Sequence, residues 1–136
     1  MTNKWFYTPA GRAGRSLDIV RITVALLLLV HSAYRIILGD VPGFGQYLGS
    51  AGYPLGVALA WLITLVTLAA SIAMIVQRLV VPACISHMVV LVVGIIMIHG
   101  SAGWFVVGGG RNGMEYSILL IACLFAVMLA YWPRKQ

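Results

Sequence analysis

Five side chains have the types and spacing to bind a small ligand. His31 and Arg35 lie four residues apart, and His99, Arg111 and Glu115 sit in or beside one glycine-rich stretch. An arginine offers a rigid cationic fork to an oxyanion or a carbonyl, an imidazole exchanges protons near neutral pH, and a carboxylate balances charge. This set suits ligand binding and proton exchange. No nucleophilic triad is identifiable, so no catalytic residue is assigned. A metal site built on His31 and His99 would need further ligands, and the chain has no H-x-x-x-H, H-E-x-x-H or Cys/His cluster to supply them.

The glycine-rich stretch also contains G-x-G-x-x-G at Gly108, Gly110 and Gly113. As a dinucleotide fingerprint that motif needs a preceding β-strand in a βαβ unit, and here the flanking sequence reads as helix. The glycines are therefore expected to make a flexible reversal with positive φ, not a phosphate cradle.

The elements that must position these groups are long apolar helices. Of 136 residues, 62% are hydrophobic and 9% charged, and about 20 mainly apolar residues are enough for one bilayer crossing. Four such runs are present, at about 17–38, 55–76, 79–98 and 114–132. Four consecutive helices with almost no polar face would leave a soluble protein no surface for water, so the fold class is an all-α, integral membrane four-helix bundle. The expected organisation is one membrane domain spanning 1–136 in a lipid bilayer. The net charge of +6 does not indicate nucleic acid, because the basic residues sit at helix ends and are not interleaved with aromatics. Lys4, Arg12 and Arg15 precede the first span, Arg78 separates the second and third, and Arg134 and Lys135 follow the fourth. The opposite loops carry only Arg111, so both termini are expected in the cytoplasm. The first run is too long for a signal h-region and no A-x-A site follows it, which reads as an uncleaved helix. Cys84 and Cys123 differ in depth by about 7 Å, which disfavours a disulfide.

Helix faces sharpen the picture. In the first span Asp18, Arg21, Ala25, Leu28, Ser32 and Arg35 repeat at three and four and should face protein. The second presents Ala60, Thr64, Thr67, Ser71 and Met74, and the last presents Ala122, Ala126 and Ala130, small residues that allow close packing. Phe44, Tyr47 and Leu48 have the spacing of a short interfacial helix, with an aromatic-anchored loop as the alternative. The tight 77–78 connection makes the second and third spans antiparallel neighbours. Asp18 and Arg21, one turn apart, are expected as a structural ion pair. Counting rise per residue places His31 about 10 Å and Arg35 about 5 Å inside the outer boundary, with His99 and Glu115 at it. Glu115 is expected to pair with Arg35 or Arg111. A lone buried His such as His87 is ordinarily a satisfied hydrogen-bonding residue; a haem or proton-relay role is the minority reading.

Taken together, Arg21, His31-Ser-Ala-Tyr-Arg35 leading to Gly39, Phe44-Gly-Gln-Tyr-Leu48, Gly52-Tyr-Pro54 and Asn112-Gly-Met-Glu115-Tyr resemble the DoxX family of small four-helix bacterial membrane proteins, over nearly the whole chain. Family members have been linked to thiosulfate:quinone oxidoreductase and to membrane-associated oxidoreductase complexes. The resemblance implies a multi-pass protein of the inner (cytoplasmic) membrane that works as a membrane subunit beside an oxidoreductase partner. His31, Arg35, His99, Arg111 and Glu115 would line an outer pocket for a quinone or a small sulfur compound. The chain departs from the family where members commonly carry a Glu in the second helix, since only Thr64, Thr67 and Ser71 are available there; Arg35 stands where members often have Lys. No electron-carrier motif is present, so redox chemistry would come from the partner and not from this chain as an enzyme by itself. The alternative is a non-enzymatic carrier or assembly partner, homo-oligomeric through a face such as Ala122-x-x-x-Ala126-x-x-x-Ala130.

Overall fold

The computed structural model describes residues 11–107 and 112–133. Lys4, Arg134, Lys135, Gly108, Gly110 and Arg111, all used in the sequence reading, lie outside the described residues, as does the side chain of Arg12. The described elements are α1 (Gly11–Ile37), α2 (Val41–Ser50), α3 (Gly56–Ile75), α4 (Val80–Gly94), a π-helical turn (Ile95–His99) and α5 (Glu115–Tyr131). No strand occurs among the described residues, consistent with rejecting the dinucleotide motif.

α1, α3, and α4 with its π turn are each long and apolar enough to cross a bilayer, and α5 is a shorter apolar helix of 17 residues, at the lower end of the spanning range of roughly 17–25. α1 packs on α3 and α5, and α4 packs on α3 and α5, which closes a four-helix ring. The α3–α4 connection reverses over Val76–Leu79, with positive φ at Gln77 and Leu79. The bundle therefore has a terminal end, holding the start of α1 and the end of α5, and a loop end, holding α2 and the described residues 100–107 and 112–114.

The apolar core is richest toward the terminal end, where Val24, Met74, Val80, Cys84, Leu124 and Val127 pack together. A second, smaller cluster at the loop end joins α2 to α3 through Val41, Leu48 and Ala60. Between them α3 turns a polar seam inward: Thr64, Thr67 and Ser71 are all buried. These side chains cost little because each has a partner. Thr64 Oγ1 donates to Ala60 O at 2.7 Å, Thr67 Oγ1 donates to Ile63 O at 2.8 Å and meets Ser32 Oγ at 2.8 Å, and Ser71 Oγ lies 3.2 Å from His87 Nε2. His87, 1% exposed, is thus the satisfied core histidine the sequence led us to expect. Large exposed residues such as Ile19, Leu26, Leu62, Val89, Ile96 and Leu129 form the outer surface, an arrangement suited to lipid and not to water.

One packing expectation needs correction. Ala122 and Ala126 are exposed and Ala130 is half-buried. α5 instead buries Ser117, Leu120, Leu124, Val127 and Tyr131, because the larger apolar side chains fill the space inside the ring better than alanine does. Cys84 and Cys123 are both free.

Candidate functional site

At the terminal end α1 begins with the face that carries Asp18 and Arg21. Arg21 is 3% exposed, so every donor it carries must find a partner. Its Nε donates to Asp18 Oδ1 at 3.2 Å, and its Nη1 donates to Met74 O and, at 3.2 Å, to Ile75 O. Those carbonyls belong to the last turn of α3, where helical partners have run out and the helix dipole favours a cation. Tyr131 lies under the guanidinium with its ring centroid 5.7 Å away, donates its hydroxyl to Asp18 Oδ1, and accepts from Gln77 Nε2 at 3.1 Å. The expected Asp18–Arg21 ion pair is present. Tyr131 and the α3 carbonyls extend it to three helices, an extension that i,i+3 spacing on α1 does not reveal.

At the loop end the same helix carries His31 and Arg35. Arg35 Nη2 meets His31 Nε2 at 3.1 Å, Nη1 lies 3.4 Å from Thr64 Oγ1, and the guanidinium sits 4.3 Å from the centroid of the Phe44 ring. A guanidinium only donates, so His31 Nε2 accepts and the ring is neutral, with its proton on Nδ1. Thr64 spends its own proton on Ala60 O and keeps lone pairs for Arg35. Phe44 is brought over Arg35 by α2, which lies directly on the start of α3. A Cβ on Gly45 would come within 2.5 Å of Val57 Cα, and one on Gly56 within 2.2 Å of Gly45 O, so only glycine allows this approach. The predicted short helix over Phe44, Tyr47 and Leu48 is therefore formed. It is tied to the far side of the bundle by a 3.2 Å bond from Tyr47 OH to Met97 O.

The remaining candidates fall into a second group. The π turn at the end of α4 carries His99, which donates from Nδ1 to Asn112 O at 2.7 Å. A π turn changes the direction of side chains at a helix end, and here it leaves His99 within electrostatic reach of His31. Glu115, the first residue of α5, accepts from the backbone N–H of Val106 at 2.8 Å. This corrects one part of the sequence reading: no ion pair joins Glu115 to Arg35 among the described residues, and Arg111, the other expected partner, lies outside them. Val106 belongs to the loop that folds back over the start of α5, which brings its amide to the carboxylate.

Arg35 is thus held by a hydroxyl, a neutral imidazole and an aromatic face. Asp40, which precedes α2, is within electrostatic reach but forms no ion pair with it. Phe44, Thr64 and Asn112 were not among the sequence-derived site residues. Thr64 was visible as part of the α3 seam, whereas Phe44 and Asn112 depend on how α2 and the loop fold back.

The fold and this arrangement define a polytopic membrane protein with a cluster of polar and ionisable side chains at one end of an apolar helical bundle. The DoxX family model matches residues 16–100, more than half of the chain, and the protein belongs to the DoxX family. The matched segment contains Arg21, His31, Arg35, α2, α3, α4 and His99, and ends before Glu115 and α5. No curated protein and no solved structure matches the chain.

Proposed function

We propose that the protein is a membrane subunit of an oxidoreductase system that binds a quinone or a small sulfur oxyanion at the loop end. The reading is carried by one observation: Arg35 is a half-buried cation at the loop end whose direct partners among the described residues are all neutral, with Asp40 only within electrostatic reach. Such a charge is costly unless balanced, and a ligand oxygen with negative charge or strong dipole supplies the balance. The planar fork would hold that oxygen, and the Nδ1–H of His31, together with His99, would exchange the protons that accompany quinone or oxyanion chemistry. Electron transfer belongs to a partner protein. In this reading the whole chain is one domain of the bacterial inner membrane, the terminal end is cytoplasmic because Arg15 and Arg78 lie there, and the site opens on the outer side.

The test is direct binding to the purified protein in detergent, with thiosulfate and a short-chain ubiquinone as probes. Saturable binding that Arg35→Ala abolishes supports the proposal, while no binding of either probe sinks it. A second reading, a homo-oligomeric carrier or assembly partner, draws on Ala122 and Ala126, which face outward from α5 and would allow two copies to approach closely. A strictly monomeric mass in detergent and in bilayer discs would remove it.

A further inference from the structure

In the connection between α4 and α5, residues 103–106 are held against the start of α5. Carbonyls of three consecutive residues are capped by the start of α5: Gly103 O accepts from Met114 N at 3.0 Å, Trp104 O from Glu115 N at 3.0 Å, and Phe105 O from Gly113 N at 3.1 Å. The Val106 amide is taken by the Glu115 carboxylate. Gly113 is required for this closure, since a Cβ there would meet Phe105 O at 2.4 Å and Trp104 O at 2.5 Å. The carbonyls of residues 103–105 and the amides of Gly103 and Val106 are thus satisfied from within. The side chains do the opposite: Trp104, Phe105, Val106 and Val107 are all exposed, Val107 to 79%, and residues 100–107 contain no charge.

A non-helical segment whose carbonyls are paired within the protein and whose apolar side chains point outward suits the boundary of lipid and water, where its other amides can still meet headgroups or water. The neighbouring surface continues the pattern. Tyr116 on α5, Trp61 on α3, Tyr34 on α1 and Tyr53 are exposed aromatics near the same end of the bundle, as in the aromatic belt at a membrane interface. We infer that residues 104–107 are embedded in the bilayer at the boundary of headgroups and acyl chains, so that the loop anchors the π turn and His99 from the lipid side. The inference rests on the bundle being in a membrane and not on any ligand.

The experiment uses the full chain with Trp104 as its only tryptophan (Trp5→Phe, Trp61→Phe, Trp132→Phe), reconstituted in phosphatidylcholine vesicles. Expected are an emission maximum blue-shifted from tryptophan in water and at least twofold quenching by lipids brominated high on the acyl chain. Iodide, added to both sides of permeabilised vesicles, should quench weakly. Emission like that of tryptophan in water, with strong iodide quenching and no effect of brominated lipid, would overturn the inference and leave the loop as a water-facing surface for a protein. A nitroxide attached to Val107→Cys in a Cys84→Ala, Cys123→Ala chain retains all four tryptophans. It should collide more often with oxygen than with a water-soluble nickel chelate, and the reverse preference would overturn the inference equally.

Discussion

Two arginines on α1, fourteen residues apart on nearly the same helical face, meet opposite circumstances. Arg21 at the terminal end has a carboxylate, two carbonyls from the last turn of α3 and an aromatic ring. Arg35 at the loop end has a hydroxyl, a neutral imidazole and an aromatic ring, with no carboxylate in an ion pair. The first is neutralised and buried, so it serves the fold. The second touches only neutral groups among the described residues, with Asp40 at longer range, an arrangement that suits a binding site for an electron-rich oxygen. The difference teaches that a charged residue in a membrane helix is not functional by type alone; what its partners leave unbalanced decides its role.

The strongest way to break this contrast is to remove Arg21. Arg21→Ala leaves half-buried Asp18 beside Tyr131 without its cation and deprives the α3 carbonyls of their donor, and should cost about 3 kcal/mol in reversible unfolding from mixed micelles. Adding Asp18→Asn should recover part of that loss, whereas a neutral result for the single variant would show that the terminal end is not locked by charge.

Gly113→Ala ranks next, at roughly 2 kcal/mol, because its Cβ would overlap two backbone carbonyls that cannot move independently of the loop. Hydrogen exchange at the start of α5 should rise in parallel. Ser71→Ala removes the 3.2 Å partner of buried His87 and should cost about 1–2 kcal/mol, the penalty for one unsatisfied buried group; Thr64→Val, by contrast, should affect the loop-end site more than the unfolding curve.

Arg35→Ala has the smallest expected effect on stability, under about 1 kcal/mol, since the one cation–π contact and two bonds to neutral groups it gives up are offset by removal of a half-buried charge. Its effect on binding of thiosulfate or quinone should be the largest of the set, and Arg35→Lys should keep the charge but lose the planar fork. If Arg35→Ala proved as destabilising as Arg21→Ala, both ends would be structural locks. Acidification offers a finer probe. Protonating His31 turns Nε2 from acceptor to donor, breaks its bond with Arg35 and adds a second positive charge near His99. Affinity for an oxyanion should therefore rise as His31 takes up a proton on acidification, and His31→Gln should flatten that dependence.

Much of this was legible in the chain because lipid imposes simple rules. Runs of about 20 apolar residues, with Thr64, Thr67 and Ser71 at helical spacing, are enough to give the spanning helices and the inward face of α3. The i,i+3 relation of Asp18 and Arg21 gives their pairing, since both sit on one rigid element. Residues on separate elements were harder to place. Ala122 and Ala126 looked like packing positions, yet they face outward, because rotation of α5 about its axis is set by which large side chains fill the ring. Glu115 looked like a counterion for Arg35 or Arg111; it pairs with the Val106 amide and not with Arg35, while Arg111 lies outside the described residues, because the path of the loop is not encoded in any periodicity.

The sequence by itself determined that the chain is a bundle of apolar helices with its few charges gathered toward the helix ends, since composition and periodicity act locally and lipid tolerates few alternatives. Only the tertiary structure decided which of those charges are balanced. Tyr131 reaches Asp18 across more than a hundred residues, α2 lays Phe44 over Arg35, and the 103–106 segment claims Glu115. Such contacts depend on the distance between elements and their rotation, and electrostatic balance inside a bilayer is settled at that scale of a few ångströms.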